Sequence, residues 1–227
     1  MSIHTAALEG QFGLVKQLLE QDKAALTSKD EDERQPLHWA VSGKRLDIVE
    51  YLIQLGAPVN EQDEVSERDA RSGWTPLHIA ASVGSVDITT LLLEKGANVN
   101  AKTETGTTPL HYASSKNHLD VARILLDKGA DPKLDDDNKQ TPLHRAAVRG
   151  YTPLTKLLIE KGSRINTPDT VRNTPLHLAC QDEHGETALA LLEAGADLDR
   201  QNGEGQTPFD YCSVNLKAFL KRHGYEA

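Results

Sequence analysis

Ser72-Gly73-Trp74-Thr75-Pro76-Leu77-His78-Ile79-Ala80-Ala81-Ser82 contains a tetrapeptide, Thr-Pro-Leu-His, that returns at Thr108, Thr141 and Thr174, each time after 33 residues. Degenerate copies extend the series. Gln35-Pro36-Leu37-His38 lies 40 residues before the Thr75 copy, one period plus seven; Thr207-Pro208-Phe209-Asp210 follows Thr174 at 33, and Ile3-His4 opens the run. A fixed period of this length marks a stack of supersecondary units, none of which can bury its apolar face alone.

The period and motif are those of ankyrin repeats, a β-turn finger followed by two antiparallel helices. The expected architecture is an all-α repeat solenoid of seven units, at about 1–29, 30–69, 70–102, 103–135, 136–168, 169–201 and 202–227, with the first and last acting as caps. Thr75 is placed to cap the first helix of its unit, and Pro76 fills the first turn, where a missing N–H costs nothing. In the second helices, Leu46, Ile48, Val49, Leu52 and Ile53 follow the 3.6-residue rhythm that Leu119, Val121, Ala122, Leu125 and Leu126 repeat. Gly56, Gly96, Gly129, Gly162 and Gly195 fall in one register after that helix, where a left-handed cap is expected. The fifth unit varies, with Thr152-Pro153 expected to cap its second helix. The last unit ends in an amphipathic segment, Leu216, Phe219 and Leu220 opposite Lys217, Lys221 and Arg222. The seven-residue surplus lies within Glu61 to Ser72 and lengthens one finger.

Composition narrows the function classes. With 25 basic and 34 acidic residues the net charge is −9, which disfavours binding to nucleic acid or anionic membranes. No apolar run approaches the ~20 residues that span a bilayer, and Met1-Ser2-Ile3-His4 lacks a secretory layout, so a soluble intracellular protein is expected. Cys180 and Cys212, the two cysteines, stand where sister repeats carry Ala, and read as small buried thiols rather than a disulfide framework.

Nine histidines raise the question of a metal. His38, His78, His111, His144 and His177 share one repeat position, so neighbours stand roughly 8–10 Å apart along a row. That is too far to share an ion with bonds of ~2 Å, and structural hydrogen bonding is the expected role. Periodic placement also works against a converging nucleophile and base, and no phosphate-cradling glycine loop occurs. Neither catalytic residues, nor a metal, nor a cofactor is expected. Leu178-Ala179-Cys180-Gln181-Asp182 is close to an LxCxE peptide but reads as repeat core.

Finger residues before each motif, and first-helix residues following its His, share the concave side. They include Asp32, Arg34, Trp39, Ser72, Trp74, Tyr112, Ser115, Lys116, Asn138, Gln140, Arg145, Arg149, Asn173, Gln181 and Asp182. Lys116, Arg145 and Arg149 stand together mid-groove, with no acidic residue at equivalent groove positions to neutralise them; Asp32 and Asp182 lie toward the flanks. Like charges four apart are unfavourable on an isolated helix, and Arg is favoured at interfaces. Trp39 and Trp74 fall on the groove side of consecutive units, and Trp is enriched at interface hot spots. A protein partner is the expected ligand.

The off-consensus residues are specific: Leu37-His38-Trp39-Ala40, the lengthened finger, Gly73-Trp74, Leu110-His111-Tyr112-Ala113-Ser114-Ser115-Lys116-Asn117 and Leu143-His144-Arg145-Ala146-Ala147. Together they resemble the gankyrin family of proteasome assembly chaperones along the whole chain, and the extended third finger is similar to the fungal form. The resemblance implies a monomeric, non-catalytic chaperone of the cytoplasm and nucleus. Its concave face would bind the C-terminal domain of the third regulatory-particle AAA ATPase and delay docking of the ATPase ring on the proteolytic core. It implies Arg34 and Lys116 as partner contacts. Ser72 stands where family members can carry an acidic residue, and Asp182 in place of Glu argues against pocket-protein binding. The alternative open at this stage is an ankyrin inhibitor or adaptor of a kinase or transcription factor.

Overall fold

The computed structural model describes residues 1–64 and 73–226. Seven pairs of antiparallel helices follow one another among them: α1 (Ile3–Glu9) with α2 (Phe12–Gln21), α3 (Pro36–Ser42) with α4 (Leu46–Gln54), and α5 (Pro76–Val83) with α6 (Val86–Glu94). The series continues with α7 (Pro109–Ser115) and α8 (Leu119–Asp127), α9 (Pro142–Ala147) and α10 (Thr152–Glu160), α11 (Pro175–Gln181) and α12 (Gly185–Glu193), and ends on α13 (Pro208–Tyr211) and α14 (Val214–Arg222). A short 3-10 helix, Lys23–Thr27, follows α2. The first helices pack on one another in a row, and the second helices form an outer row behind them.

The motif explains the stacking. Leu37, Leu77, Leu110, Leu143 and Leu176 are all but completely buried, and each such side chain stabilises by about 1.5–3 kcal/mol. Three residues on, Ala40, Ala80, Ala113, Ala146 and Ala179 are fully buried, small enough to let first helices approach closely. Cys180 and Cys212 are buried free thiols, as expected from their Ala-equivalent positions.

The histidines tie each unit to the next. In α5, His78 Nδ1 accepts the Thr75 N–H at 3.1 Å, closing the first turn. Nε2 therefore carries the proton and donates to the Ala101 and Thr107 carbonyls, both at 3.1 Å. His111 repeats this toward the Gln140 carbonyl, His144 toward Asn173 and His177 toward Gln206. Apart from that of Ala101, each carbonyl immediately precedes the next cap threonine. With both ring nitrogens engaged, the row has a structural role, and among the described residues no group of three metal-ligating side chains converges.

Gly56, Gly96, Gly129, Gly162 and Gly195 adopt φ between +85° and +95° after the second helices. A Cβ there would meet nothing within 4 Å, so backbone conformation alone selects glycine. One sequence reading shifts. Thr152 lies inside α10 as its first residue, with Tyr151 at the cap, and its hydroxyl sits 2.7 Å from that of Thr187 in α12. The expected boundary at Ala70 lies outside the described residues, and the hydrogen bonds put the finger register at Asp63. Its N–H donates to the Trp74 carbonyl and its carbonyl accepts from Gly73, so Asp63 is joined to Gly73 and Trp74 by two backbone hydrogen bonds.

Candidate protein-binding groove

Each finger is organised by one polar side chain. Asp136 Oδ1 accepts the N–H groups of Asn138 (2.9 Å) and Gln140 (3.0 Å), fixing the turn. Asp30, Asp169 and Asn202 do the same two and four residues on, and Asp63 takes the Trp74 N–H at 2.6 Å. The second carboxylate oxygen is then left for another donor. Asp30 Oδ2 accepts from Trp39 Nε1 at 2.6 Å, and Asp136 Oδ2 from Arg145, each donor nine residues along on the following helix. Neighbouring fingers are joined likewise: Arg34 Nε donates to Asp63 Oδ2 at 3.0 Å, Gln140 to Asp169 at 3.4 Å, and Asn202 to the Asn173 amide oxygen at 2.9 Å.

This corrects the reading of three free cations mid-groove. Arg145 is neutralised by Asp136, a nearly buried carboxylate at the base of its own finger rather than at a groove position. Lys116, which ends α7, and Arg149 are exposed and make no ion pair among the described residues. Arg34 is also paired, its side chain 23% exposed, and its guanidinium lies 5.4 Å from the Trp39 ring centroid. Of these four cations, Lys116 and Arg149 are therefore the ones without an ion pair among the described residues, while Arg34 and Arg145 are held by finger aspartates.

Trp74 divides the groove. On one side it meets Arg34, Trp39 and Ile79 around a pocket of about 200 Å³. On the other it lines a hollow of about 580 Å³ with Tyr112, Ser115, Lys116, Asn138 and Arg145. The Trp74 and Tyr112 rings pack against each other with centroids 4.2 Å apart and planes tilted by 46°, and both residues are half-buried. Inside this wall Trp74 Nε1 and Arg145 Nε are shielded from solvent without a hydrogen-bond acceptor.

Asp32 lies at the first fingertip, its carbonyl accepting from Glu64 at 3.3 Å, and exposed Asp182 follows α11. Ser72 is outside the described residues. Leu178 and Cys180 are buried within α11, so the LxCxE-like stretch is not presented as an extended peptide. The finger aspartates escaped the sequence reading as site residues, although the nine-residue spacing from Asp30 to Trp39 and from Asp136 to Arg145 was visible.

Ankyrin repeats, in three copies, match residues 2–63, 59–136 and 129–202. The chain belongs to the ankyrin-repeat family. It is similar to the 26S proteasome non-ATPase regulatory subunit 10 of rat, with 43% identity over 70 residues, covering 31% of this chain and 27% of that protein. The probable 26S proteasome regulatory subunit p28 of Saccharomyces cerevisiae is 38% identical over 74 residues, 33% of this chain and 31% of the yeast protein. These matches span less than a third of either relative. Among solved structures, the ankyrin repeat domain of human ASB11 superposes over the full length of both chains, with a TM-score of 0.86 and 27% identity.

Proposed function

We propose that this ankyrin protein is a non-catalytic assembly chaperone of the proteasome base, binding the C-terminal domain of the third regulatory-particle AAA ATPase through its concave groove. The observation that carries the reading is the groove centre, where the half-buried Trp74–Tyr112 pair lines one hollow with Lys116, which makes no ion pair among the described residues. An aromatic anchor next to an unneutralised cation suits a protein surface bearing carboxylates. Similarity to regulatory subunit 10 and p28 directs that chemistry toward the proteasome. The remaining contacts are assigned to Asp32, Arg34, Trp39, Ser72, Arg145, Arg149 and Asp182. Occupying the ATPase domain would delay docking of the ring on the proteolytic core. The protein acts as a monomer in cytoplasm and nucleus, without nucleic acid or membrane.

Affinity purification from cell extract followed by mass spectrometry tests this. Proteasomal ATPase subunits should be recovered with the wild-type chain and depleted with Lys116→Glu. Recovery of kinases or transcription factors without proteasomal ATPases would replace it with the adaptor reading.

A further inference from the structure

The residue at the base of each finger recurs as Asp30, Asp63, Thr103, Asp136, Asp169 and Asn202, at intervals of 33 residues with one of 40 across the lengthened finger. Thr103 is the exception, a hydroxyl where the others carry a carboxylate or its amide. Its side chain is buried, and Oγ1 accepts the Thr107 N–H at 3.1 Å, the contact that Asp136 makes with Gln140 four residues on. The remaining hydrogen-bonding capacity stays inside the finger. Thr103 and Thr105 hydroxyls lie 3.1 Å apart, as do those of Thr105 and Thr107. This turn is therefore closed without a charge.

The position of that neutral turn gives it a consequence for binding. In the other fingers the second side-chain atom meets the residue nine along: Asp30 meets Trp39, Asp136 meets Arg145, and Asn202 meets Tyr211. Nine residues after Thr103 stands Tyr112, which lines the 580 Å³ hollow of the groove together with Thr105, Thr107 and Lys116. Two cations, Lys116 and Arg145, and one carboxylate, Asp136, belong to that lining; exposed Glu104 on the same finger does not. By the register of its sister fingers, an aspartate at 103 would add a second carboxylate beside this wall. The charge of the hollow would then be balanced.

We propose that Thr103 is a specificity-determining residue of the groove: by closing its finger with an uncharged hydroxyl it leaves the hollow one positive charge in excess, which selects a protein segment bearing carboxylates. A carboxylate at this base would repel the same segment, and unfavourable charge juxtaposition is a means of discriminating partners. The assignment rests on the groove being the binding site, so its test carries a separate control for that reading.

The test is calorimetric titration of the full chain with the third regulatory-particle ATPase subunit, comparing Thr103→Asn, Thr103→Asp and Lys116→Glu. Asparagine closes a finger in this chain at Asn202, so Thr103→Asn should bind within about twofold of wild type. Thr103→Asp differs from it only in charge and should bind at least about tenfold more weakly at low salt, the gap narrowing as salt is raised. If Thr103→Asp does not keep the wild-type circular dichroism spectrum, Thr105→Asp replaces it: half-exposed on the same wall, it leaves the Thr103–Thr107 bond in place and should show the same loss. Folded aspartate variants that bind as wild type does while Lys116→Glu binds weakly would overturn the role of Thr103 and leave the groove reading intact. Equal losses for Thr103→Asn and Thr103→Asp would also overturn it, since charge would then not be the determinant. Wild-type binding by Lys116→Glu as well would remove the groove reading, and the assignment with it.

Discussion

Arg145 donates to the carboxylate of Asp136, nine residues earlier, whose other oxygen closes the finger on the Asn138 and Gln140 N–H groups. One side chain thereby sets both the shape of the fourth-to-fifth unit edge and the position of a groove arginine. Asp136→Ala should cost about 2–3 kcal/mol, since it strands a partly enclosed guanidinium and two turn donors. Asp136→Asn keeps the turn acceptor and should cost about half as much. Urea denaturation of the two variants checks the order.

The mid-groove cations should separate into two kinds. Lys116→Glu changes an exposed, unpaired residue and should leave the melting curve within ~0.5 kcal/mol of wild type. Arg145→Glu brings a second carboxylate against buried Asp136 and should destabilise the fold by about 2–4 kcal/mol. Equal thermal stability of the two variants would show that the Asp136 pair has no structural role.

The row of histidines makes stability fall in mild acid. Burial, opposed in each case by weaker hydrogen bonds to carbonyls, lowers the pKa of His78, His111 and His144 from 6.5 to about 4. The unfolded chain therefore binds more protons between those values. Stability from these rings is complete above pH 6.5, erodes as pH falls toward 4, and changes no further below it. Each unit of depression corresponds to about 1.4 kcal/mol, so three rings remove several kcal/mol across the window. Urea unfolding at pH 7 and pH 5 measures the loss, and the imidazole proton resonances of these rings should show no titration near pH 6.5 in the folded state.

Trp74 should report the groove. It is half-buried against Tyr112 and lines the hollow, so Trp39→Phe, which isolates its emission, should give fluorescence partly quenched by acrylamide in the free protein and protected in the complex. Trp74→Ala should weaken binding by about 1–3 kcal/mol. Unchanged quenching at saturation with the partner would place Trp74 outside the interface.

The solenoid was legible because periodicity reports packing: a Leu, an Ala and a His returning every 33 residues must each meet the same surroundings. The glycine caps followed from the same register. The state of Arg145 was not legible from groove positions, because its partner Asp136 belongs to the finger base. Asp63 carried a usable signal, standing 33 residues after Asp30, but the inserted residues behind it drew the boundary to Ala70. Thr152-Pro153 looks like a cap in sequence, yet the helix begins one residue earlier than a Thr cap requires, and the hydroxyl serves an inter-unit contact with Thr187.

The most direct measurement is calorimetric titration of this chain with the isolated C-terminal domain of the third regulatory-particle ATPase, in parallel with Lys116→Glu. The groove account predicts one-to-one binding by wild type that weakens as salt is raised. It also predicts at least a tenfold loss, about 1.4 kcal/mol, for a folded Lys116→Glu variant. Absence of binding by wild type, or a variant that binds as wild type does at low salt, would contradict it.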